Sequence, residues 1–245
     1  MLDGVAPPAG GGLLAVSAHA ADFVWRCGGA LALAAAKPGG AHVICLSFGE
    51  RGESARLWQQ GLDLAEVKRI RREEAEQAAQ ALGVTIEFLD GGDYPLRPTE
   101  AMLDAVVQAM RLRQPATVVT HAAADPYNVD HPRTAELTIE ARILSQADGY
   151  ESPHPILGAP PVFRFEPHQP EMCGFHPDVL LDITDVFDRK RAAMECMQAQ
   201  EHLWRYYTEL AQRRGTQAVR NGGPKTIRYA EAYQRVYPFV TDKLI

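Results

Sequence analysis

The sequence places His19 and Asp22 three residues apart, directly after the apolar run 13–16. An imidazole and a carboxylate with this spacing, at the carboxyl end of a buried strand, can bind one divalent metal ion. Ala20 and Ala21 stand between them, where a hydrolytic metal site needs a carboxylate as general base. The pattern predicts a metal site that does not carry out the usual metal-assisted hydrolysis.

Two further segments carry residues suited to the same chemistry. Asn128, Asp130 and His131 follow the apolar run 117–120, and Glu50 lies in a glycine-flanked acidic loop after another apolar run. Two histidines and one carboxylate, with a fourth position open to water or substrate, form the usual protein shell of a catalytic zinc. Asp130 could orient an imidazole of such a site. Capping of the following helices and solvation of a loop acid are the structural alternatives for these residues.

The elements that must position these residues are predicted from apolar periodicity. The predicted strands are 12–18, 41–48, 84–90, 117–121 and 179–183, with 162–166 as a further candidate. The predicted helices are 28–37, 62–82, 99–113, 132–147 and 185–212. This alternation predicts an α/β fold with a Rossmann-like, mostly parallel sheet and helices on both faces. Ligands of such sheets bind beyond the carboxyl ends of the strands, where the strand order reverses.

The 245 residues are expected to form a single domain, with a flexible lead-in over 1–11 and a C-terminal tail over 213–245. The aromatic residues of the tail suit the core or a contact between subunits, which favours a homo-oligomer. The Pro-rich segment 149–178 carries three histidines, and a loop of this length is expected to be functional or disordered.

Composition argues against several classes of protein. Apolar residues make up 46% and charged residues 23%, as in ordinary globular domains. The net charge of −6, without a basic block, gives no support to a nucleic-acid or membrane partner. No apolar run approaches the roughly 18 residues of a membrane-spanning helix, and the first 12 residues lack signal-peptide features. Four cysteines without CxxC spacing indicate reduced thiols and a cytoplasmic location.

Segments 13–31, 43–53 and 117–137 resemble the PIG-L / LmbE-like family of zinc-dependent N-acetylglucosamine deacetylases. The family's first motif, Ala-His-Pro-Asp-Asp-Glu before a Gly-Gly pair, stands here as Ala18-His19-Ala20-Ala21-Asp22-Phe23 before Gly28-Gly29. Its second motif, His-Pro-Asp-His, stands as Asn128-Val129-Asp130-His131. The resemblance implies a Rossmann-like fold over about residues 12–200. It also implies one Zn²⁺ per chain, bound by His19, Asp22 and His131.

The departures from these motifs argue against deacetylation. Ala21 occupies the position of the family's general base, and Asn128 that of the histidine that assists at the tetrahedral intermediate. Each such proton-transfer group contributes roughly 10²- to 10⁴-fold in rate. The implied metal ligands are all retained, which favours a metal enzyme with different chemistry. The metal could also be iron, cobalt or manganese, since two histidines and an aspartate accept each of them.

Residues 17–26 and 161–168 resemble a branch of this superfamily that performs such chemistry. The resemblance implies hydration, in which water adds to a carbon–carbon double bond of a small tricarboxylate formed during the breakdown of aromatic acids. A divergent N-acetyl sugar deacetylase and a non-catalytic metal-binding protein are the alternatives.

Hydration of an alkene conjugated with a carbonyl requires two proton transfers and cations for the substrate carboxylates. We predict Glu50 as the base that replaces Ala21, and His168 for the opposite transfer from a loop that could close over the site. His154 and His176 are its rivals. Arginine matches carboxylates with two parallel hydrogen bonds. The predicted substrate-binding residues are Arg26, Arg51, Asn128 and Arg164.

Overall fold

The structure is a computed structural model, and it describes residues 11–240. Its strands are β1 (Leu13–Ser17), β2 (Ala41–Cys45), β3 (Thr85–Phe88), β4 (Thr117–Thr120), β5 (Val162–Phe165), β6 (Val179–Asp182) and β7 (Ala230–Arg235). In this part of the chain they form one sheet with the spatial order β3-β2-β1-β4-β5-β7-β6. Strands β1 to β5 are parallel, and β7 runs antiparallel to its neighbours β5 and β6. The strand order reverses between β1 and β4, which places the ligand crevice of such a sheet there.

The helices are α1 (Asp22–Ala35), α2 (Ala55–Gln59), α3 (Leu64–Leu82), α4 (Glu100–Arg113), α5 (Asp130–Leu144), α6 (Phe187–Cys196) and α7 (Leu203–Arg220). One apolar core packs α1, α3, α6 and α7 against one face of the sheet. A second core packs α4 and α5 against the other face. The prediction of a mostly parallel, Rossmann-like α/β fold with helices on both faces is confirmed. No helix of the described residues has both the length and the apolar character needed to cross a bilayer.

Local signals set the ends of several helices. The Asp63 side chain accepts a hydrogen bond from the Glu66 N–H at 2.9 Å and so caps the start of α3. Gly83, with φ of 73°, ends that helix in the left-handed conformation. Thr99 caps α4 in the same way through the Met102 N–H. These caps explain why the predicted bounds of α3 and α4 lie within two residues of the observed ones.

The single helix predicted over 185–212 is wrong, because the chain turns between α6 and α7. The turn is held by side chains of α3: the Ala199 N–H donates to Glu74 Oε1 at 2.8 Å, and Arg71 Nη2 donates to Gln200 Oε1 at 2.9 Å. Arg71 is fully buried there. These contacts come from residues more than 120 positions away, which periodicity within one segment does not report.

Strand β7 lies in the segment that was expected to be a tail. Its sequence, AEAYQR, has little β-propensity, and its acid Glu231 is buried. Glu231 accepts hydrogen bonds from the Gly29 and Ala30 N–H groups and from Lys190 Nζ, at 2.6 to 2.9 Å. Long-range polar contacts thus stabilise this strand. Residues 1–10 of the lead-in and 241–245 of the tail lie outside the described part.

Candidate metal centre and active site

Five parallel strands deliver polar side chains to one cleft beyond their carboxyl ends. The segments after β1, β2, β3, β4 and β5 supply Asp22, Glu53, Tyr94, His131 and His168 in that order, with Asp22 and His131 in the first turns of α1 and α5. All five line a cavity of about 190 Å³. This is the crevice at which the strand order reverses. The topology therefore brings together residues that are as much as 146 positions apart in the chain, from Asp22 to His168.

A larger cavity, of about 540 Å³, opens at the opposite end of the sheet. Its lining is mostly apolar and includes Leu13, Leu33, Val119 and Phe163, without any histidine or carboxylate. Volume alone would favour this larger cavity as the active site, but catalysis requires several polar groups that converge on the substrate. The smaller cleft is therefore the candidate active site.

Four side chains in this cleft form a cluster that fits a metal ion. His19, Asp22, Glu53 and His131 each present one ligand atom, and these atoms lie within 4.8 Å of one another. His19 Nδ1 lies 3.2 Å from Asp22 Oδ2 and 3.1 Å from Glu53 Oε1. His131 Nε2 lies 3.5 Å from Asp22 Oδ1.

Three polar atoms of this cluster are buried and make no hydrogen bond to any described group: His19 Nδ1, His131 Nε2 and Glu53 Oε2. Such atoms cost free energy unless they are paired. A cation between them would satisfy all three at once, and nitrogen with carboxylate oxygen is a donor set that zinc accepts. The residues present therefore fit a divalent metal.

Carboxylates orient both imidazoles through their other nitrogens. The His131 Nδ1–H donates to Asp125 Oδ2 at 2.8 Å, and the His19 Nε2–H donates to Asp130 Oδ2 at 3.3 Å. This arrangement is typical of metal-ligating histidines, because it selects the tautomer that leaves the opposite nitrogen free. Asp130, which the sequence suggested as an orienting residue, thus contacts His19, and Asp125 was not identified from the sequence.

The cluster attracts positive charge. Burial would lower the pKa of His19, but Glu53, Asp130 and Asp22 together raise it well above its ordinary value. Burial would raise the pKa of Asp22, yet His121 and His131 hold it well below the usual range. The pKa of Glu53 is likewise lowered, against the effect of burial, by His19. Without metal, a proton on His19 balances these carboxylates.

We expect the affinity for Zn²⁺ to rise with pH above 6.5, the ordinary pKa of histidine, because neighbouring carboxylates keep His19 protonated there. A proton must leave Nδ1 before a metal binds, so the apparent Kd should fall by up to about tenfold per pH unit. It should level off once the pH exceeds the raised pKa of His19. Titration against a competing chelator from about pH 6 to pH 9 measures this, and a constant Kd would contradict it.

Glu53 occupies the position in the cleft that was predicted for Glu50. Gly49 adopts a φ of 70°, and the Glu53 N–H donates to its carbonyl oxygen, so the chain reverses between the two acids. Glu50 is buried, with its carboxylate accepting from the Phe48 N–H and lying 3.5 Å from Arg51 Nη1. Burial raises the pKa of Glu50. The structure does not bring Glu50 to the metal cluster, and the acidic loop was the only sequence signal for Glu53.

His168 lines the cleft, whereas His154 and His176 do not. Its ring stacks on Tyr206 with 4.4 Å between centroids, and the Tyr206 hydroxyl donates to its carbonyl oxygen at 2.6 Å. Burial lowers the pKa of the His168 imidazole. Of the three loop histidines, His168 is therefore the one placed to act on a bound molecule.

Of the predicted substrate-binding residues, Arg26 and Asn128 line the cleft. Arg26 Nε donates to Asp22 Oδ1 at 3.2 Å, and Asn128 Oδ1 accepts from the Asp130 N–H at 3.1 Å. Arg51 and Arg164 are not among the lining residues.

The positions of the other two arginines have structural causes. Arg51 is half exposed and donates to the Asp93 carbonyl oxygen at 3.2 Å. Arg164 lies within β5 between Phe163 and Phe165, whose rings pack against the core that contains α1. Because side chains alternate along a strand, Arg164 points to the other face of the sheet.

His121 is a buried histidine of the site that the sequence did not single out. Its Nε2 accepts a hydrogen bond from the Ala18 N–H at 2.9 Å, and its ring stacks on His131 at 4.1 Å. Burial and the neighbouring His131 lower the pKa of His121 to about 3, so the ring is neutral. His121 therefore supports the loop before His19 and the ring of His131.

Comparison with known proteins identifies a matching family, a similar sequence and similar solved structures. Residues 14–142 match the PIG-L family, described as GlcNAc-PI de-N-acetylase. The chain is 54% identical over 235 residues to the 4-oxalmesaconate hydratase of Pseudomonas putida, with 94% of this chain and 91% of the relative covered. The crystal structure of the 4-carboxy-2-hydroxymuconate hydratase from the same species matches with a TM-score of 0.92 and 54% identity, over 96% of this chain and all of that one. The N,N'-diacetylchitobiose deacetylase of Pyrococcus horikoshii, at 22% identity, shares the fold, with a TM-score of 0.74 over 93% of this chain and 84% of its own.

Proposed function

The chain belongs to the PIG-L family, and we propose that it is a 4-oxalomesaconate hydratase. It adds water to the carbon–carbon double bond of that tricarboxylate, which gives 4-carboxy-4-hydroxy-2-oxoadipate during gallate and protocatechuate breakdown. The observation that carries this proposal is 54% identity to a hydratase over nearly the full length of both chains.

The site supports hydration better than deacetylation. Ala21, at the position of the deacetylase general base, is fully buried within the apolar core. Asn128, at the position of the assisting histidine, uses its side-chain oxygen to accept from the backbone of Asp130. Neither position can transfer a proton, and each such group is worth roughly 10²- to 10⁴-fold in rate.

We propose one Zn²⁺ per chain, held by His19, Asp22 and His131. When bound, such a metal acts as a Lewis acid on a substrate oxygen or lowers the pKa of water. The two histidine nitrogens that would face it, His19 Nδ1 and His131 Nε2, are among the buried side-chain atoms that make no hydrogen bond. Iron and cobalt suit the same donors, so the identity of the metal is to be read from elemental analysis.

Glu53, the fourth side chain of the cluster, and His168, which lines the same cleft, are proposed to move the protons. Glu53 follows β2 and His168 follows β5, whereas His19 and His131 come from the central strands β1 and β4. Glu53, ionised because its pKa is lowered, accepts the proton that the attacking water loses. His168 delivers a proton to the substrate carbon, and its lowered pKa makes the imidazolium a stronger acid.

Arg26 is proposed to bind a substrate carboxylate. Its Nε and Nη1 donate to Asp22 and to the Glu166 carbonyl oxygen, and no described group accepts from its Nη2. Arg26 lines the cleft, so this donor can meet an anion. Asn128 lines the same cleft and is proposed to contribute its amide N–H₂.

The test is the ultraviolet absorbance of 4-oxalomesaconate mixed with the zinc-loaded protein, with a chelator-treated sample beside it. Rapid, metal-dependent loss of the conjugated chromophore is the expected result. Hydrolysis of N-acetyl sugars without any change in 4-oxalomesaconate would identify a divergent deacetylase. Tight zinc binding without turnover of either substrate would identify a metal-binding protein.

We further propose that the chain is one catalytic domain that acts in the cytoplasm as a homo-oligomer, without nucleic-acid or membrane partners. The four cysteines are free, as in a reducing compartment. Phe239 and Val240 are 69% and 92% exposed, and such side chains are often covered by a subunit contact. Sedimentation velocity tests the assembly, and a monomer at all concentrations would contradict it.

A further inference from the structure

We propose that Tyr94 is a catalytic residue of this reaction, whose hydroxyl donates a hydrogen bond to the substrate oxygen on which negative charge develops. This inference rests on the proposed hydratase function. The residue comes from the loop after β3, a segment for which the sequence suggested no chemistry.

Tyr94 faces the same cleft as the proposed catalytic groups. It lines the cavity with Glu53, His131 and His168, and its ring centroid lies 6.0 Å from that of His19. The residue is 41% exposed, and no described group hydrogen-bonds to its hydroxyl. The hydroxyl therefore has no role in holding the fold and is free to meet a ligand.

One carboxylate fixes Tyr94 relative to a proposed metal ligand. Asp130 Oδ2 accepts from the Tyr94 N–H at 2.9 Å and lies 3.3 Å from His19 Nε2. Asp130 Oδ1 accepts from the Leu96 N–H at 2.8 Å, which ties down the next part of the same loop. The backbone of Tyr94 and the ring of His19 are thus positioned by the same side chain.

The preceding residue ties this loop to the one that carries Glu53. Asp93 accepts from the Arg51 N–H at 2.9 Å and from the Gly52 N–H at 2.7 Å. Tyr94 is therefore held on both sides, toward His19 and toward Glu53. Donors fixed in advance cost no reorganisation when charge develops, which is what makes them effective in catalysis.

Two local features show that the position of the Tyr94 ring constrains the backbone, both at Tyr94 itself and at Gly52 beneath the ring. Tyr94 has a φ of 44°, in the left-handed region that aromatic residues rarely adopt. A Cβ at Gly52 would lie 2.0 Å from Tyr94 Cε2, so the ring packs directly over a residue that must be glycine. Unfavourable backbone conformations persist where the surroundings impose them, and they cluster at active sites.

The chemistry of hydration calls for such a donor. Water adds at the carbon β to the carbonyl, a C–O bond forms, and the electron pair of the double bond moves to the carbonyl oxygen as an enolate. The enolate then takes a proton at the α-carbon and the C=O bond is restored. A phenol, with an ordinary pKa near 10, is protonated at pH 7 and can donate to the enolate oxygen without losing its proton.

The test compares Tyr94→Phe with the wild type on 4-oxalomesaconate. Loss of one preorganised donor typically lowers kcat by about 10²- to 10³-fold, and we expect a loss in that range with KM changed by less than about threefold. Metal content and Tm should be unchanged. Tyr150→Phe is the matched control, since its hydroxyl donates to Asp104 at the surface, and it should keep the wild-type rate.

The other possible results contradict either the role of the Tyr94 hydroxyl or the proposed function of the protein. Wild-type kcat in Tyr94→Phe, a rise in KM alone, or metal lost in parallel with activity would each overturn the role of the hydroxyl. An inactive wild type would overturn the proposed function instead, so the two failures are distinguishable.

Gly52→Ala gives an independent check, because the added methyl group must displace the ring. It should lower kcat in the wild type but add little to Tyr94→Phe, since the two variants remove the same interaction. Full additivity of the two losses would overturn the positioning of Tyr94 by Gly52.

Discussion

His19→Ala is expected to lose both the bound metal and all measurable hydration. His19 is fully buried, and its Nδ1 lies within 3.2 Å of the Asp22 and Glu53 carboxylates. Without it, Asp22 and His131 are the only two of the three proposed ligands that remain. Elemental analysis of the purified protein and the absorbance assay measure the two losses.

His121→Gln is the matched control for that variant. His121 is as deeply buried and lies in the same site, but its Nε2 accepts from the Ala18 N–H and is not available to a metal. The glutamine side chain can place its oxygen near the position of Nε2 and accept that hydrogen bond, so the metal should be retained. A His19→Ala protein with stoichiometric metal and normal turnover would contradict the assignment of this cluster as the metal site.

Glu53→Gln is expected to lower kcat by about 10²- to 10⁴-fold, the usual contribution of a general base. The amide keeps the volume of the side chain but cannot accept the proton that the attacking water loses. His19, Asp22 and His131 remain in place, so most of the metal should stay bound. Steady-state rates at matched metal content separate the loss of the base from a loss of metal.

Glu50→Gln is the matched control for Glu53→Gln, because the sequence analysis predicted Glu50 as the base. Its carboxylate is engaged with the Phe48 N–H, Arg51 and Lys68, and it does not line the cleft. We expect less than about a tenfold change in kcat, together with some loss of stability, since a buried acid loses its partners. A larger loss of rate in Glu50→Gln than in Glu53→Gln would reverse the assignment.

The site shows how a deacetylase fold can serve another reaction. The strand ends that present the proposed metal ligands are kept, and the two proton-transfer positions of the deacetylase motifs are replaced by Ala21 and Asn128. We propose that Glu53 and His168, which follow the neighbouring strands β2 and β5, transfer the protons instead. The proposed metal ligands and the proposed proton-transfer groups thus follow different strands, so one set can change while the other is retained.

The fold was largely predictable from sequence, because its signals are local. The apolar runs of the parallel strands and the helical periodicity of α3, α4 and α5 each lie within one segment. Strand β7 and the turn between α6 and α7 were not predictable, since both depend on distant partners. Glu231 is stabilised by Lys190 and the backbone of α1, and the turn by Glu74 and Arg71 of α3.

The sequence by itself determined which strands are followed by candidate functional side chains, since an apolar strand followed by a polar segment is a local pattern. His19 and Asp22 could be named because they lie within five residues of the end of β1, where the chain has little freedom to turn away. His131 lies eleven residues beyond the end of β4, and it could be named because residues 128–131 resemble the second motif of the family. Tertiary structure alone decided which residues of the longer loops reach the cleft. The turn at Gly49 selects Glu53 over Glu50, and Asp130 places Tyr94. The side chain that a long loop presents depends on its backbone dihedrals and on partners far away in the chain, and neither is encoded in the spacing of residue types.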